Sequence, residues 1–332
     1  MKDREKTVKV IRSGREERMT RADYVRELLA ELPPRPRTGH KGSFGRVQLA
    51  CGSPTYTGAA LLSAEGALRM GCGFVFLYAP HAVAEPMRAR LPEVIIREIL
   101  PMSAHAAEGF AAMRADEDVR GAVLVGCGLG QVDGEGKPVD AAAFARALDG
   151  YLSVSGAPLV LDADALNLAA HAFGVGDLTV AARLRRARRP VVITPHPAEF
   201  SRISGLSMEE IAADRVGVAL RFAEESGAVV LLKGAGTVIA TPTGDAGVNP
   251  TGSTALSKGG SGDVLAGMLV SLLAQGMSPY AAARLAAYLH GAAGEEESAL
   301  YTERGVLPSE LPRAAARVLC TLLSVKKEQK NE

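Results

Sequence analysis

The stretch SKGGSGDVLAG, Ser257 to Gly267, places Gly259, Gly260, Gly262 and Asp263 immediately ahead of an apolar helical run. Glycines let backbone N–H groups close on an anion, and a helix N-terminus adds its positive dipole end. A carboxylate at that point can accept the proton of an attacking hydroxyl while the amides hold the charge of a transferring phosphoryl group. The same residues also suit an Asp that caps a helix after a flexible loop. The stretch alone leaves both readings open.

Other segments carry chemistry-bearing side chains. LLKGAGTVIA (231–240) reads as a strand, a tight glycine turn and a second strand, with Lys233 at the strand end as a phosphate contact or a surface lysine. LDADALN (161–167) sets Asp162, Asp164 and Asn167 after a buried strand, where acids could hold Mg²⁺ or cap the next helix. In TPHPAEF, His196 lies between two prolines with Glu199 three residues on, a rigid setting that suits a structural histidine. His290, in an Ala-rich helical run, reads as a packed histidine, and His40, His81, His105 and His171 form no metal-spaced pair. Nothing matches GxxxxGK[ST], and GCGLGQ (126–131) breaks GxGxxG at its last position, which excludes the common phosphate and dinucleotide grips.

The elements that must position these residues are short apolar strands separated by helical stretches. Strands are expected at 46–52, 73–80, 121–128, 158–164, 189–196 and 228–234, and helices at 58–71, 140–152 and 208–226. Continuously apolar strands alternating with helices indicate a mostly parallel α/β sheet covered on both faces, with ligands outside the carboxyl ends of the strands. The polar clusters fall at those ends.

The chain has 332 residues, 47% of them hydrophobic, and a formal net charge of +1. Such a balance gives no electrostatic case for nucleic acid. No apolar run reaches the ~18 residues of a membrane helix, and no secretory signal opens the sequence. Four dispersed cysteines (51, 72, 127 and 320) suggest neither a zinc site nor a disulfide framework, consistent with a cytoplasmic protein. Residues 1–19 are charged and expected to be a disordered tail. Residues 20–37 are expected as a short helix capped by Thr20 plus a linker, and residues 38–325 as one domain.

Taken in order, HKGSFGRVQLACGS (40–53), GAALLSAEGALRMGCG (58–73), GCGLG (126–130), LDADALN, TPHPAEF, KGAGTVI and NPTGSTALSKGGSGDVLAGM (249–268) resemble the ADP-dependent (S)-NAD(P)H-hydrate dehydratases, which have a ribokinase-like fold. The resemblance runs from about residue 37 to about residue 323. It implies repair of hydrated NADH or NADPH at the expense of ADP, with AMP and phosphate released and Mg²⁺ accompanying the nucleotide. On these motifs Asp263 is the base. Ala59, Gly128, His196 and Asp263 line the hydrated-nicotinamide side. Lys233, Gly234, Ala235, Gly236, Thr237 and Gly262 hold ADP or AMP. A homotetramer is implied, as is an NAD(P)H-hydrate epimerase on a separate chain, since 37 residues ahead of the domain are too few for one. Three departures stand out: Ala198 where glycine is usual, Ser253 where asparagine is expected, and Cys127 where proline is usual. The alternatives are a ribokinase-like kinase of a hydroxymethylpyrimidine or thiazole alcohol, and a nucleotide-binding subunit without catalysis.

Overall fold

The structure, a computed structural model, describes residues 7–118, 120–132, 136–171 and 179–328. The chain opens with a hairpin of β1 (Thr7–Arg12) and β2 (Arg15–Thr20), followed by α1 (Arg21–Ala30). Next come β3 (Arg46–Ala50), α2 (Thr57–Arg69), β4 (Phe74–Ala79), α3 (His81–Arg90), β5 (Val94–Glu98), α4 (Ala106–Ala115) and β6 (Ala122–Val125). They are followed by α5 (Ala141–Leu152), β7 (Leu159–Leu161), α6 (Asp164–His171), α7 (Val180–Arg185), β8 (Val191–Ile193) and α8 (Pro197–Ser204). Then α9 (Met208–Ala213), α10 (Arg215–Ser226), β9 (Val229–Leu232), β10 (Val238–Ala240) and β11 (Ala246–Val248) lead to α11 (Ser261–Ala274), α12 (Pro279–Gly305) and α13 (Leu311–Glu328).

These strands form one 11-stranded sheet in the order β2-β1-β11-β10-β9-β8-β7-β6-β3-β4-β5. The run from β9 to β5 is parallel, and β10, β11, β1 and β2 extend it antiparallel. The expected mostly parallel sheet with helices on both faces is what forms. Alternation explains why its strands read as unbroken apolar runs: Ala122 and Leu124 of β6 face a core shared with α2, α11 and α12, while Val123 and Val125 face one shared with α4 to α6. The strand order reverses between β3 and β6, because the chain leaves β3 toward β4 and β5 and returns on its other side. A crevice outside the carboxyl ends of strands at such a reversal is where open α/β sheets bind ligands.

The expectation of a disordered tail over 1–19 is corrected from Thr7 onward, while residues 1–6 of it lie outside the described residues. β1 pairs with β11 through Val10↔Gly247 and Ile11↔Ala246, and Val8 and Val10 are buried. Ser13 and Gly14 both take positive φ (49° and 77°), as a two-residue hairpin turn of the primed type requires. Charge hid the pattern: Lys9, Arg12 and most of β2 face outward, so a period of two lies beneath a polar composition. Thr20 caps α1 as expected, accepting from the Asp23 amide. The single helix expected over 208–226 is instead α9 and α10, because Asp214 leaves helical geometry (φ −147°, ψ 67°) and its carboxylate caps α10 at Gly217 N.

Two glycines lock α2 against α11. A Cβ at Gly267 would lie 2.0 Å from the Ser63 carbonyl oxygen, and one at Gly66 would lie 2.6 Å from the Val264 carbonyl oxygen. The two helices therefore touch backbone to backbone, fixing the relation between their N-terminal ends. Overpacking of this kind costs roughly 1–3 kcal/mol or more. Gly267→Ala is accordingly expected to lower the thermal midpoint by several degrees, whereas Ala266→Gly, which adds no atoms, should lack that overpacking penalty; calorimetry of the two variants checks this.

Candidate functional site

Lys233 directly follows β9, and the chain turns through Gly234 (φ 142°) and Gly236 (φ 66°) into β10. The expected hairpin forms, with Leu232 opposite Val238. Lys233, Gly234, Ala235, Gly236, Thr237 and, from the facing helix, Gly262 all line one cavity of about 530 Å³. Arg215 braces the turn from behind by donating one guanidinium nitrogen to the carbonyls of Leu232 and Lys233, both at 3.1 Å. Its guanidinium would lie about 2.9 Å from a Cβ on Gly234, whose φ of 142° itself disfavours any other residue. Sequence reading missed Arg215, which lies 18 residues away at the start of another helix.

The opposite wall is the start of α11. Its cap residue is Gly260, with φ 97° and no side chain closing the helix end. Asp263 lies inside the first turn and is not the cap, so the helix-capping reading of this residue is set aside. The positive end of the helix is left to face the cavity through Gly262. His290 is buried, and its Nε2 lies 3.1 Å from the Ser261 hydroxyl at this helix start. Burial pulls its pKa down to about 4, so the ring is neutral at ordinary pH. The expectation of a packed helix histidine holds, and the ring also lines the cavity.

Beside this cavity lies a cluster of buried charge. Lys233 Nζ is 2.8 Å from Asp162 Oδ1 and 3.8 Å from Glu199 Oε2. Burial alone would lower the lysine, but the two carboxylates outweigh it and hold its pKa above the ordinary value. Asp162 is oriented by Ala163, a non-glycine residue at φ 47° whose amide donates to Asp162 Oδ1. Strained backbone of this kind concentrates at functional sites. Asp263 shares the cluster: burial, and next the charge of Asp162, push its pKa up to about 7, while a hydrogen bond from Cys127 and the charge of Lys233 oppose the rise. A carboxylate so poised exchanges protons near neutrality, as a general base must.

The residues expected around a second ligand, Ala59, Gly128 and His196, are not among those that line this cavity. Gly128 (φ 63°) follows β6 and Ala59 begins α2, and a Cβ on Gly128 would come within 2.7 Å of both Ala59 and Tyr56. This close approach lies at the β3–β6 reversal, where Gly52 N donates to Cys127 O at 2.8 Å. Tyr56, exposed beside them, was not singled out from the sequence. His196 caps α8: its Nδ1 accepts from the amides of Ala198 and Glu199, which puts its proton on Nε2, 3.2 Å from Glu199 Oε1. Through Glu199 it connects to Lys233. Burial would raise Glu199, but the His196 hydrogen bond and Lys233 bring its pKa below the usual carboxylate range.

The acids of LDADALN are otherwise engaged. Asp164 accepts from Gly130 N and Gln131 Nε2, and Asn167 accepts from Arg202. Among the described residues no three His, Cys, Asp or Glu side chains converge as a metal cage. Two of the departures are absorbed locally. Ser253 lies 3.1 Å from the Ser298 hydroxyl, and the Ala198 amide joins the α8 cap.

A parallel sheet carrying a glycine turn, an open helix N-terminus and a half-buried carboxylate poised near neutrality defines a ribokinase-like α/β enzyme. The family model for NAD(P)H-hydrate dehydratase matches residues 47–317, and the chain belongs to that family. It is 33% identical to the ADP-dependent (S)-NAD(P)H-hydrate dehydratase of Bacillus subtilis, over 87% of this chain and 94% of that protein. It is 37% identical to the bifunctional NAD(P)H-hydrate repair enzyme of Moorella thermoacetica over 85% of its own length, and it spans about half the length of that relative. The crystal structure of the Bacillus subtilis ADP/ATP-dependent NAD(P)H-hydrate dehydratase, co-crystallized with ATP/Mg²⁺, superposes with a TM-score of 0.74 at 32% identity, covering 90% of this chain and 97% of that one.

Removing one partner of a buried ion pair typically costs about 3–5 kcal/mol, because the other charge is left uncompensated. Lys233→Met is expected to destabilise the fold by that order in denaturant unfolding. Adding Asp162→Asn should recover part of the loss, and simple additivity of the two changes would contradict direct pairing.

Proposed function

We propose that the protein is an ADP-dependent dehydratase that returns the S epimer of hydrated NADH or NADPH to NADH or NADPH, with AMP and phosphate as the other products. The observation that carries this reading is the place of Asp263, in the first turn of α11 directly after Gly262 of the cavity, in the same charge cluster as Lys233 and Asp162. ADP lies in the cavity with its phosphates against the first turn of α11 and the Lys233–Thr237 turn. The hydrated nicotinamide lies against Ala59 and Gly128, with His196 at the rim.

Asp263 takes the proton of the C6 hydroxyl as its oxygen attacks the β-phosphorus of ADP, and AMP leaves. Phosphate then departs from C6 and a proton from C5, which restores the ring double bond. The amides at the α11 N-terminus hold the charge of the transferring group. Lys233 supplies a fixed positive charge that its carboxylate partners keep protonated. Lys233 and Glu303 are the only ionic side chains among the cavity residues that the structure describes, which fits Mg²⁺ carried in on the nucleotide phosphates. Such an ion neutralises phosphate charge.

Among the described residues no helix is long and apolar enough to cross a membrane. The proposal places the enzyme in the cytoplasm as a homotetramer.

Incubating the protein with hydrated NADH and ADP is expected to regenerate dihydronicotinamide absorbance with one AMP and one phosphate per turnover. No recovery with ADP or ATP sinks the reading, and phosphorylation of a hydroxymethylpyrimidine or thiazole alcohol instead would make the protein a kinase. Asp263→Asn should cost about 10²–10⁴-fold in kcat, the usual loss for a general base. In the wild type, kcat/KM should rise with pH through about 7 as Asp263 ionises. Stability carries the opposite sign. With its folded pKa raised, Asp263 contributes stability below about pH 4 that is lost as pH climbs through 7. Asp263→Asn should therefore be more stable than wild type at pH 8 and gain little at pH 4, measured by unfolding midpoints.

A further inference from the structure

His290 is a buried histidine that the proposed chemistry does not use: it is 6% exposed and lines the nucleotide cavity together with Ser261 and Gly262. Its Nε2 lies 3.1 Å from the Ser261 hydroxyl, and among the described residues its Nδ1 has no hydrogen-bond partner. Nδ1 is not one of the side-chain atoms sealed from solvent without a hydrogen bond, so it opens on the cavity that the ring lines. The turn of α12 that carries the ring is fixed from its other flank. Asn249 Nδ2 donates to the Ala287 carbonyl at 3.0 Å, Thr251 Oγ1 donates to the Tyr288 carbonyl at 2.9 Å, and a Cβ on Gly291 would lie 2.2 Å from Thr251 Oγ1. The phosphate end of the cavity is one residue beyond Ser261, where Lys233 Nζ would lie 3.4 Å from a Cβ on Gly262.

We propose that His290 is a nucleotide-binding residue whose Nδ1–H donates to the α-phosphate of ADP. The proposal rests on the dehydratase reading above, which puts ADP in this cavity. Burial keeps the ring neutral, so one nitrogen donates and the other accepts. An anion in the cavity selects the tautomer with its hydrogen on Nδ1, and Nε2 then accepts from the Ser261 hydroxyl. The β-phosphorus, the atom attacked, belongs beside Gly262 and Asp263. Ser261 stands one residue back from them, so a donor fixed on Ser261 meets the phosphate that stays with AMP. When the bond between the β-phosphorus and the bridging oxygen breaks, negative charge moves onto AMP, and a donor already in place stabilises it. A neutral donor does this without the tight hold on product that a second cation beside Lys233 would add.

Two substitutions separate the nitrogens of the ring, because the side-chain nitrogen of Asn stands near the place of Nδ1 and that of Gln near the place of Nε2. The test is titration calorimetry of ADP and of AMP with wild type, His290→Asn and His290→Gln. The Gln variant is expected to weaken both ligands roughly tenfold or more, the usual worth of a hydrogen bond to a charged group, while the Asn variant stays within about threefold of wild type. Equal losses in the two variants, or a larger loss in the Asn variant, overturn the proposal and leave His290 a packing residue that braces Ser261. A loss for ADP without one for AMP overturns it too, since AMP keeps the α-phosphate.

Unfolding midpoints of the three proteins keep the comparison to folded material: a purely structural role lowers stability in both variants, and only a ligand contact splits nucleotide affinity between them. The titration needs no hydrated NADH, so it fails separately from the dehydratase reading. The split between Asn and Gln in a protein that does not restore NADH upholds His290 and rejects that reading. No split in a protein that does restore NADH rejects His290 alone, and a wild type that binds neither nucleotide overturns both.

Discussion

One buried cation organises the site. Lys233 closes β9, and its ammonium meets a carboxylate from the end of β7 and another from the first turn of α8, while its charge restrains a third carboxylate in α11. A lone charge in that environment would be untenable, and so would three unaccompanied acids. The cluster thus holds four chain segments in register at the carboxyl edge of the sheet. It also sets a gradient of proton affinity: Lys233 stays charged, Glu199 stays ionised, and Asp263 is balanced close to neutrality.

The second constraint is steric. Because α2 and α11 meet through Gly66 and Gly267, the crevice at Ala59 and the carboxylate of Asp263 keep a fixed separation. Proton transfer tolerates little positional error, and groups on rigid helices meet that demand better than groups on loops. The loops here contribute backbone amides and small residues, which let ligands approach, while the reactive side chains come from element ends.

Much of this was legible in the chain itself. The alternation of short apolar runs with helical stretches indicated the parallel sheet, and Gly234 and Gly236 of KGAGT and Gly262 of GGSGD marked two walls of the cavity. Asp162 could be seen as important, but its partner could not: nothing local links it to Lys233, 71 residues away. Arg215 was equally silent, since its role depends on which strand end α10 happens to face. The hairpin at residues 7–20 was missed for a different reason. Its core-facing residues, Val8 and Val10, are too few to outweigh a charged composition unless the period of two is sought beneath it.

That hairpin changes the character of the sheet edge. Without it, β11 would end the sheet, exposing a row of unpaired backbone groups beside the strands of the glycine turn. With it, the outermost strand is β2, Arg15-Glu16-Glu17-Arg18-Met19-Thr20, which presents charges of both signs along most of its length. A charged edge resists pairing with a strand of another molecule. The segment that looked like an idle tail thus works as a guard against edge-to-edge aggregation, and it turns β11, which flanks the strands of the glycine turn, from an edge strand into an interior one.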